Sequence, residues 1–123
     1  MDKIYKNLLI VDDEEIILEF TKRILAKEKI NIFVYQNGLD AWKFIQHRKV
    51  DLILLDLVMP VMSGEQLLQK LNQLKMPPPV IVITGWLSKE VDYRLQPYNI
   101  LKIFTKPLDI NELKSAVLGI LRQ

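Results

Sequence analysis

The residues of this chain best suited to chemistry are an acidic pair, Asp12 and Asp13, inside the run "LLIVDDEE" (Leu8–Glu15), a further acid at Asp56, a hydroxyl at Thr84, and an amine at Lys106 just before Pro107. Carboxylates brought within about 4–6 Å raise one another's pKa unless a cation neutralises them. Hard oxygen ligands with no His or Cys beside them suit Mg2+, which takes one or two carboxylates, waters and phosphate oxygens. A carboxylate in such a cluster can attack phosphorus and form an acyl phosphate. Charge on the transferred group would then be met by the metal ion, by the Lys106 ammonium, and by the Thr84 hydroxyl with nearby backbone N–H groups. Each residue also has a plainer reading. An Asp after a strand commonly caps the next helix, a lone Asp such as Asp56 often belongs to a turn, Thr84 suits a cap, and Lys106 suits solvent. What favours the joint reading is convergence, which depends on the elements that carry these residues.

Those elements alternate along the chain. Short apolar runs, "NLLIV" (Asn7–Val11), "NIFVY" (Asn31–Tyr35), "DLILL" (Asp51–Leu55), "VIVIT" (Val80–Thr84) and "ILKIF" (Ile100–Phe104), read as strands. The first four are continuously apolar and predict strands covered on both faces. Lys102 interrupts the fifth and predicts an edge or partly exposed strand. Between the runs lie helical spacings: Ile16, Phe20 and Ile24 widened by Ile17 and Leu25; Ala41, Phe44 and Ile45 after Gly38; Leu67, Leu68, Leu71 and Leu74; and Ile110, Leu113, Val117, Ile120 and Leu121, with Asp109 as N-cap. A weaker helix runs from Leu87 to Gln96, capped by Ser88 and ended by Pro97. The "MPPPV" segment, Met76–Val80, predicts a stiff loop before the fourth strand.

Five strands each followed by a helix imply a doubly wound parallel α/β sheet with right-handed crossovers and helices on both faces. Ligands of such sheets bind beyond the carboxyl ends of the strands. Asp12 and Asp13 end the first strand, Asp56 the third and Thr84 the fourth, while the fifth runs into Lys106. All five chemical residues therefore converge on one edge.

Composition sets the outer bounds. The chain has 123 residues, 50% of them hydrophobic and 26% charged, with a net charge of +2 and no cysteine. A single domain, 1–123, with no effector domain is expected. The scattered basic residues argue against a nucleic-acid surface. No apolar run approaches the ~20 residues a membrane span needs, and no signal peptide is visible, so a cytoplasmic location is expected. His47, the single histidine, lies beside Arg48 and Lys49 and reads as solvated.

Taken together, "VDD" (Val11–Asp13), "LLDLVMPVMSG" (Leu54–Gly64), "ITG" (Ile83–Gly85) and "TKP" (Thr105–Pro107) resemble the receiver domain of two-component response regulators over essentially the whole chain. The resemblance implies a flavodoxin-like three-layer sandwich with strand order 2-1-3-4-5. It implies that Asp56 is both the phosphoacceptor and a Mg2+ ligand, Asp13 a direct Mg2+ ligand, Asp12 part of the metal's water shell, and the Val58 backbone carbonyl a further ligand. Thr84 and Lys106 would contact the phosphoryl group, and the Lys106–Pro107 bond would be cis. Its phosphodonor would be a sensor histidine kinase or histidine phosphotransfer protein. A downstream partner would dock on the helix 4–strand 5–helix 5 face, where Tyr93, Tyr98, Lys102 and Ile103 are candidates.

The chain departs from the family pattern in places. Ile103 stands where the family carries Tyr or Phe, three residues before the lysine. Phe104 beside it points to the other face and reads as core. Asn99 replaces a Gly before the fifth strand, and Asn tolerates a left-handed backbone. Apolar Val58 and Trp86, two residues after Asp56 and Thr84, suggest shielding of the acyl phosphate from water; alternatively Trp86 covers the fourth helix. The leading function is a phosphoacceptor receiver that switches partner binding and is reset by hydrolysis, not a turnover enzyme. One alternative is a small Mg2+-dependent phosphohydrolase resembling the haloacid dehalogenase group, although its D-x-D nucleophile motif is replaced here by adjacent Asp12-Asp13. The other is an interaction module with a vestigial site.

Overall fold

A computed structural model of the chain describes residues 5–59 and 61–122. Pro60 of the "LLDLVMPVMSG" motif lies outside the described residues. Strand and helix alternate: β1 (Asn7–Val11), α1 (Glu15–Leu25), β2 (Asn31–Tyr35), α2 (Gly38–Ile45), β3 (Leu52–Asp56), α3 (Gly64–Leu71), β4 (Val80–Thr84), α4 (Lys89–Leu95), β5 (Ile100–Thr105) and α5 (Ile110–Leu121). The sheet is parallel throughout, in the order β2-β1-β3-β4-β5. From β1 the chain steps outward to β2, then crosses back to β3 and continues the other way. The reversal opens a crevice beyond the carboxyl ends of β1 and β3, the usual ligand position in such sheets.

Side-chain alternation divides the core into two layers. Leu9 and Val11 of β1, Ile53 and Leu55 of β3 and Val80 and Val82 of β4 pack with α2, α3 and α4. Their neighbours Leu8, Ile10, Leu52, Leu54, Ile81 and Ile83 pack on the other face with α1 and α5. Both faces are covered, which is why these runs are apolar at every position. The expectation holds for β1, β3 and β4 but not for β2, whose five residues are all half-buried. As the outermost strand it lacks a neighbour on one side. The β3 boundaries shift by one residue, from 51–55 to Leu52–Asp56, and Asp56 ends the strand as chain order placed it.

At the opposite edge half of the β5 residues are exposed, while Phe104 is buried. A register shift between Val80 and Ile81 leaves Leu101 without a partner on β4. Beyond it Ile103 pairs with Val82 and faces α4, while Phe104 pairs with Ile83 and faces α5. The side chains of Asn37, Ser63, Ser88 and Asp109 cap α2, α3, α4 and α5 as hydrogen-bond acceptors.

Two expectations need correction. The buried stripe of α1 is Leu18, Thr21 and Leu25, not Ile16 and Phe20, which are 77% and 44% exposed. Packing selects the face of α1 that meets the sheet, and periodicity alone offered two overlapping stripes. Nor is Asn99 left-handed; among the described non-glycine residues Lys29 and Val61 take positive φ, 56° and 70°.

Candidate functional site

The site forms where the carboxyl ends of β1, β3, β4 and β5 meet the β3–α3 loop. Asp12 follows β1 and is buried, with its N–H donating to the Tyr35 carbonyl at 3.1 Å. Its Oδ1 accepts from the N–H of Glu14 at 2.9 Å. The helix-capping reading of Asp12 and Asp13 therefore fails: Glu14 occupies the N-cap position of α1, and its side chain makes no capping bond. Asp13 is exposed at the mouth of the site, and Asp56 is buried at the end of β3. Carboxylate oxygens of Asp12, Asp13 and Asp56 lie within 4.8 Å of one another.

Among the described residues, a single ammonium crosses this cluster. Thr105 and Lys106 leave β5 with the Lys106 N–H donating to the Thr84 carbonyl at 2.8 Å, and the Lys106–Pro107 bond is cis. From there Nζ lies 3.4 Å from Asp12 Oδ2 and 3.6 Å from Asp56 Oδ2, and it donates a hydrogen bond to Glu14. Asp56 Oδ1 accepts from the Val58 N–H at 3.3 Å. Thr84 is buried, and its Oγ1 donates to the Trp86 carbonyl at 3.0 Å while accepting from the Trp86 N–H at 3.3 Å.

Burial and crowding shape the electrostatics. Burial raises the Asp56 pKa to about 6, the Asp12 charge adds to the rise, and the Val58 N–H and Lys106 only partly offset it. Burial likewise raises the pKa of Asp12 against the opposing pull of the Glu14 N–H and Lys106. Burial alone would lower the Lys106 pKa, but the hydrogen bond to Glu14 and the charges of Asp12 and Asp56 leave it raised. The cluster holds more negative charge than one ammonium neutralises. Oxygen donors with no sulfur or imidazole among them fit a hard divalent cation such as Mg2+.

The β3–α3 loop is held by close backbone approaches. A Cβ on Gly64 would overlap the Asp56 carbonyl, and the Gly64 N–H donates to the Leu57 carbonyl at 2.9 Å. This explains the glycine eight residues after Asp56. Beside Asp56 a cleft of about 750 Å3 is lined by Val58, Met59, Trp86 and Val91 and by Arg94 paired with Glu65. Val58 and Trp86, 76% and 72% exposed, stand at its rim. Glu14 escaped the reading of the site from sequence. Its signal is its place in the acidic run, but its pairing with a lysine 92 residues away is a product of the fold.

The site is thus an acidic crevice at the switch point of a doubly wound parallel sheet, with a lysine reaching in from the end of β5. The family model described as "Response regulator receiver domain" matches residues 8–118. Sporulation initiation phosphotransferase F of Bacillus subtilis (strain 168) is 30% identical over 112 residues, spanning 91% of this chain and 90% of that protein. Response regulator GtcR of Aneurinibacillus migulanus is 39% identical over 81 residues, 65% of this chain but 33% of its own length. A signal receiver domain from Vibrio parahaemolyticus superposes with a TM-score of 0.90 at 32% identity, covering 97% of this chain and 92% of the other. A receiver domain protein from Methanospirillum hungatei JF-1 gives 0.89 at 28%, covering 97% and 95%. The chain belongs to the response regulator receiver domain family.

Proposed function

We propose that the domain accepts a phosphoryl group on Asp56 from a phosphohistidine of a sensor histidine kinase or histidine phosphotransfer protein. The observation that carries this reading is the meeting of the Asp12, Asp13 and Asp56 oxygens within 4.8 Å, with Lys106 Nζ bridging Asp12 and Asp56. An Asp56 oxygen forms the new P–O bond as the P–N bond breaks. The bonding pair stays on the imidazole nitrogen. With its pKa near 6, Asp56 is mostly ionised at neutral pH yet more basic than an ordinary carboxylate, which suits a nucleophile.

In this reading Asp12, Asp13, Asp56 and the Val58 carbonyl would hold Mg2+, which when bound would supply positive charge to the phosphoryl oxygens. Lys106 neutralises a second oxygen. Thr84 contributes its hydroxyl by giving up the hydrogen bond to the Trp86 carbonyl, and that exchange couples the phosphorylated site to the segment leading into α4. The downstream partner then reads the α4–β5–α5 face, where Tyr93 is 80% exposed, Lys102 is exposed, and Tyr98 and Ile103 are half-buried. Ile103 faces α4 without the aromatic ring usual in the family, so here Thr84 and Trp86 carry the switch. The domain works in the cytoplasm and is reset by hydrolysis of its own acyl phosphate.

The test is treatment with acetyl phosphate and Mg2+ followed by intact and fragment mass spectrometry. A mass gain of one HPO3 on the fragment carrying Asp56, lost in Asp56→Asn, is expected. No adduct, or an adduct elsewhere, refutes the assignment.

A further inference from the structure

Lys106 is contacted by more acid than the phosphoryl chemistry requires. The Asp12 and Asp56 side chains lie deep, 3% and 6% exposed, whereas the third acid on the ammonium, Glu14, is 53% exposed. Glu14 therefore draws the ammonium from the solvent side while the acceptor lies below. Its backbone is fixed: the N–H donates to Asp12 Oδ1, and the carbonyl accepts from the N–H groups of Ile17 and Leu18. Its side chain stands at the N-cap of α1 yet makes no capping bond, and hydrogen-bonds Lys106 instead.

We infer that Glu14 is a positioning residue that limits phosphoryl acceptance by holding the Lys106 ammonium on the solvent side of Asp56. This rests on the reading of Asp56 as phosphoacceptor and Lys106 as its counter-cation. An incoming phosphoryl group must take the ammonium from Glu14, so the free energy of that ion pair is subtracted from the gain of forming the new one. A ligand that needs a minor arrangement of its site binds more weakly by the population of that arrangement.

Two substitutions separate contact from charge. Glu14→Gln removes the negative charge. Glu14→Asp keeps it but shortens the side chain by one methylene and withdraws it from Lys106. Neither removes a capping bond, so both variants are expected to fold, which thermal unfolding checks. Beryllofluoride, added stepwise with Mg2+ to the full chain, is read through the fluorescence of Trp86 at the cleft rim. Both variants are expected to bind it about two- to fivefold more tightly than wild type, the range of a partly exposed ion pair. Tighter binding by Glu14→Gln alone, with Glu14→Asp like wild type, overturns the inference in favour of simple charge repulsion. Unchanged or weaker binding in both overturns it outright. A wild-type chain that does not respond to beryllofluoride defeats the receiver reading itself, an outcome distinct from the others.

Discussion

Asp56 shows how a single residue can be costly to the fold and useful to the site. At a pH below about 4 its carboxyl is protonated in the folded and unfolded chain alike and contributes nothing to stability. Between about pH 4 and pH 6 the unfolded chain releases this proton while the folded chain, with the group buried beside Asp12, retains it, so stability falls across that interval and levels off above it. In the absence of divalent cations, Asp56→Asn is expected to stabilise the domain at neutral pH by on the order of 1–3 kcal/mol. Urea unfolding at pH 7 and pH 4 checks this; a gain of equal size at both values contradicts it. A second prediction concerns Trp86, which stands exposed at the cleft rim beside Val58. If these apolar groups shield the acyl phosphate from water, Trp86→Ala loses phosphate from Asp56 faster than wild type. Equal or slower loss, followed with radiolabelled phosphate, would show that the indole has no shielding role.

Among the elements, the β3–α3 loop carries the tightest constraint. Gly64 presses against the Asp56 carbonyl, so Gly64→Ala must push the acceptor strand and the loop apart. Overpacking of this kind costs on the order of 2–3 kcal/mol, and because Asp56 itself moves, the beryllofluoride response should weaken as well. Reduced stability with wild-type beryllofluoride affinity would mean that the loop gives way without disturbing Asp56. Helix α1 carries a different lesson. Ile16 and Phe20 share its helical spacing with Ile24, but Leu18, Thr21 and Leu25 form the face that meets the sheet. A periodicity argument finds a helix readily and its buried face less well when apolar residues exceed what one face can hold.

For the whole molecule, the sheet joins three acids that repel one another and are short of counter-charge. A divalent cation binding this cluster in the folded chain, and not in the unfolded one, raises stability by RT ln(1 + [Mg2+]/Kd), about 2.7 kcal/mol at a hundredfold excess over Kd. Calorimetric melting with and without Mg2+ should therefore show an upward shift in wild type and a smaller one in Asp13→Asn. An equal shift in both would remove Asp13 from the metal site. The same architecture links the site to the α4–β5 face through β4: Thr84 ends that strand, its hydroxyl holds the segment entering α4, and Ile103 on the adjoining strand packs toward α4.

Much of this was readable from residue order. Strand-length apolar runs alternating with helical spacings specify a parallel doubly wound sheet, because only two covered faces account for runs such as "DLILL" and "VIVIT". Chain order then places Asp12, Asp13, Asp56, Thr84 and Lys106 at strand ends, and the shared direction of parallel strands puts those ends on one edge. Tertiary structure alone decided the exposure of β2, the buried face of α1, the burial that raises the Asp56 pKa, and the hydrogen bond from Lys106 to Glu14. These depend on which surfaces meet across long sequence separations. Local pattern carries the type of an element, whereas burial and charge pairing belong to the packed whole.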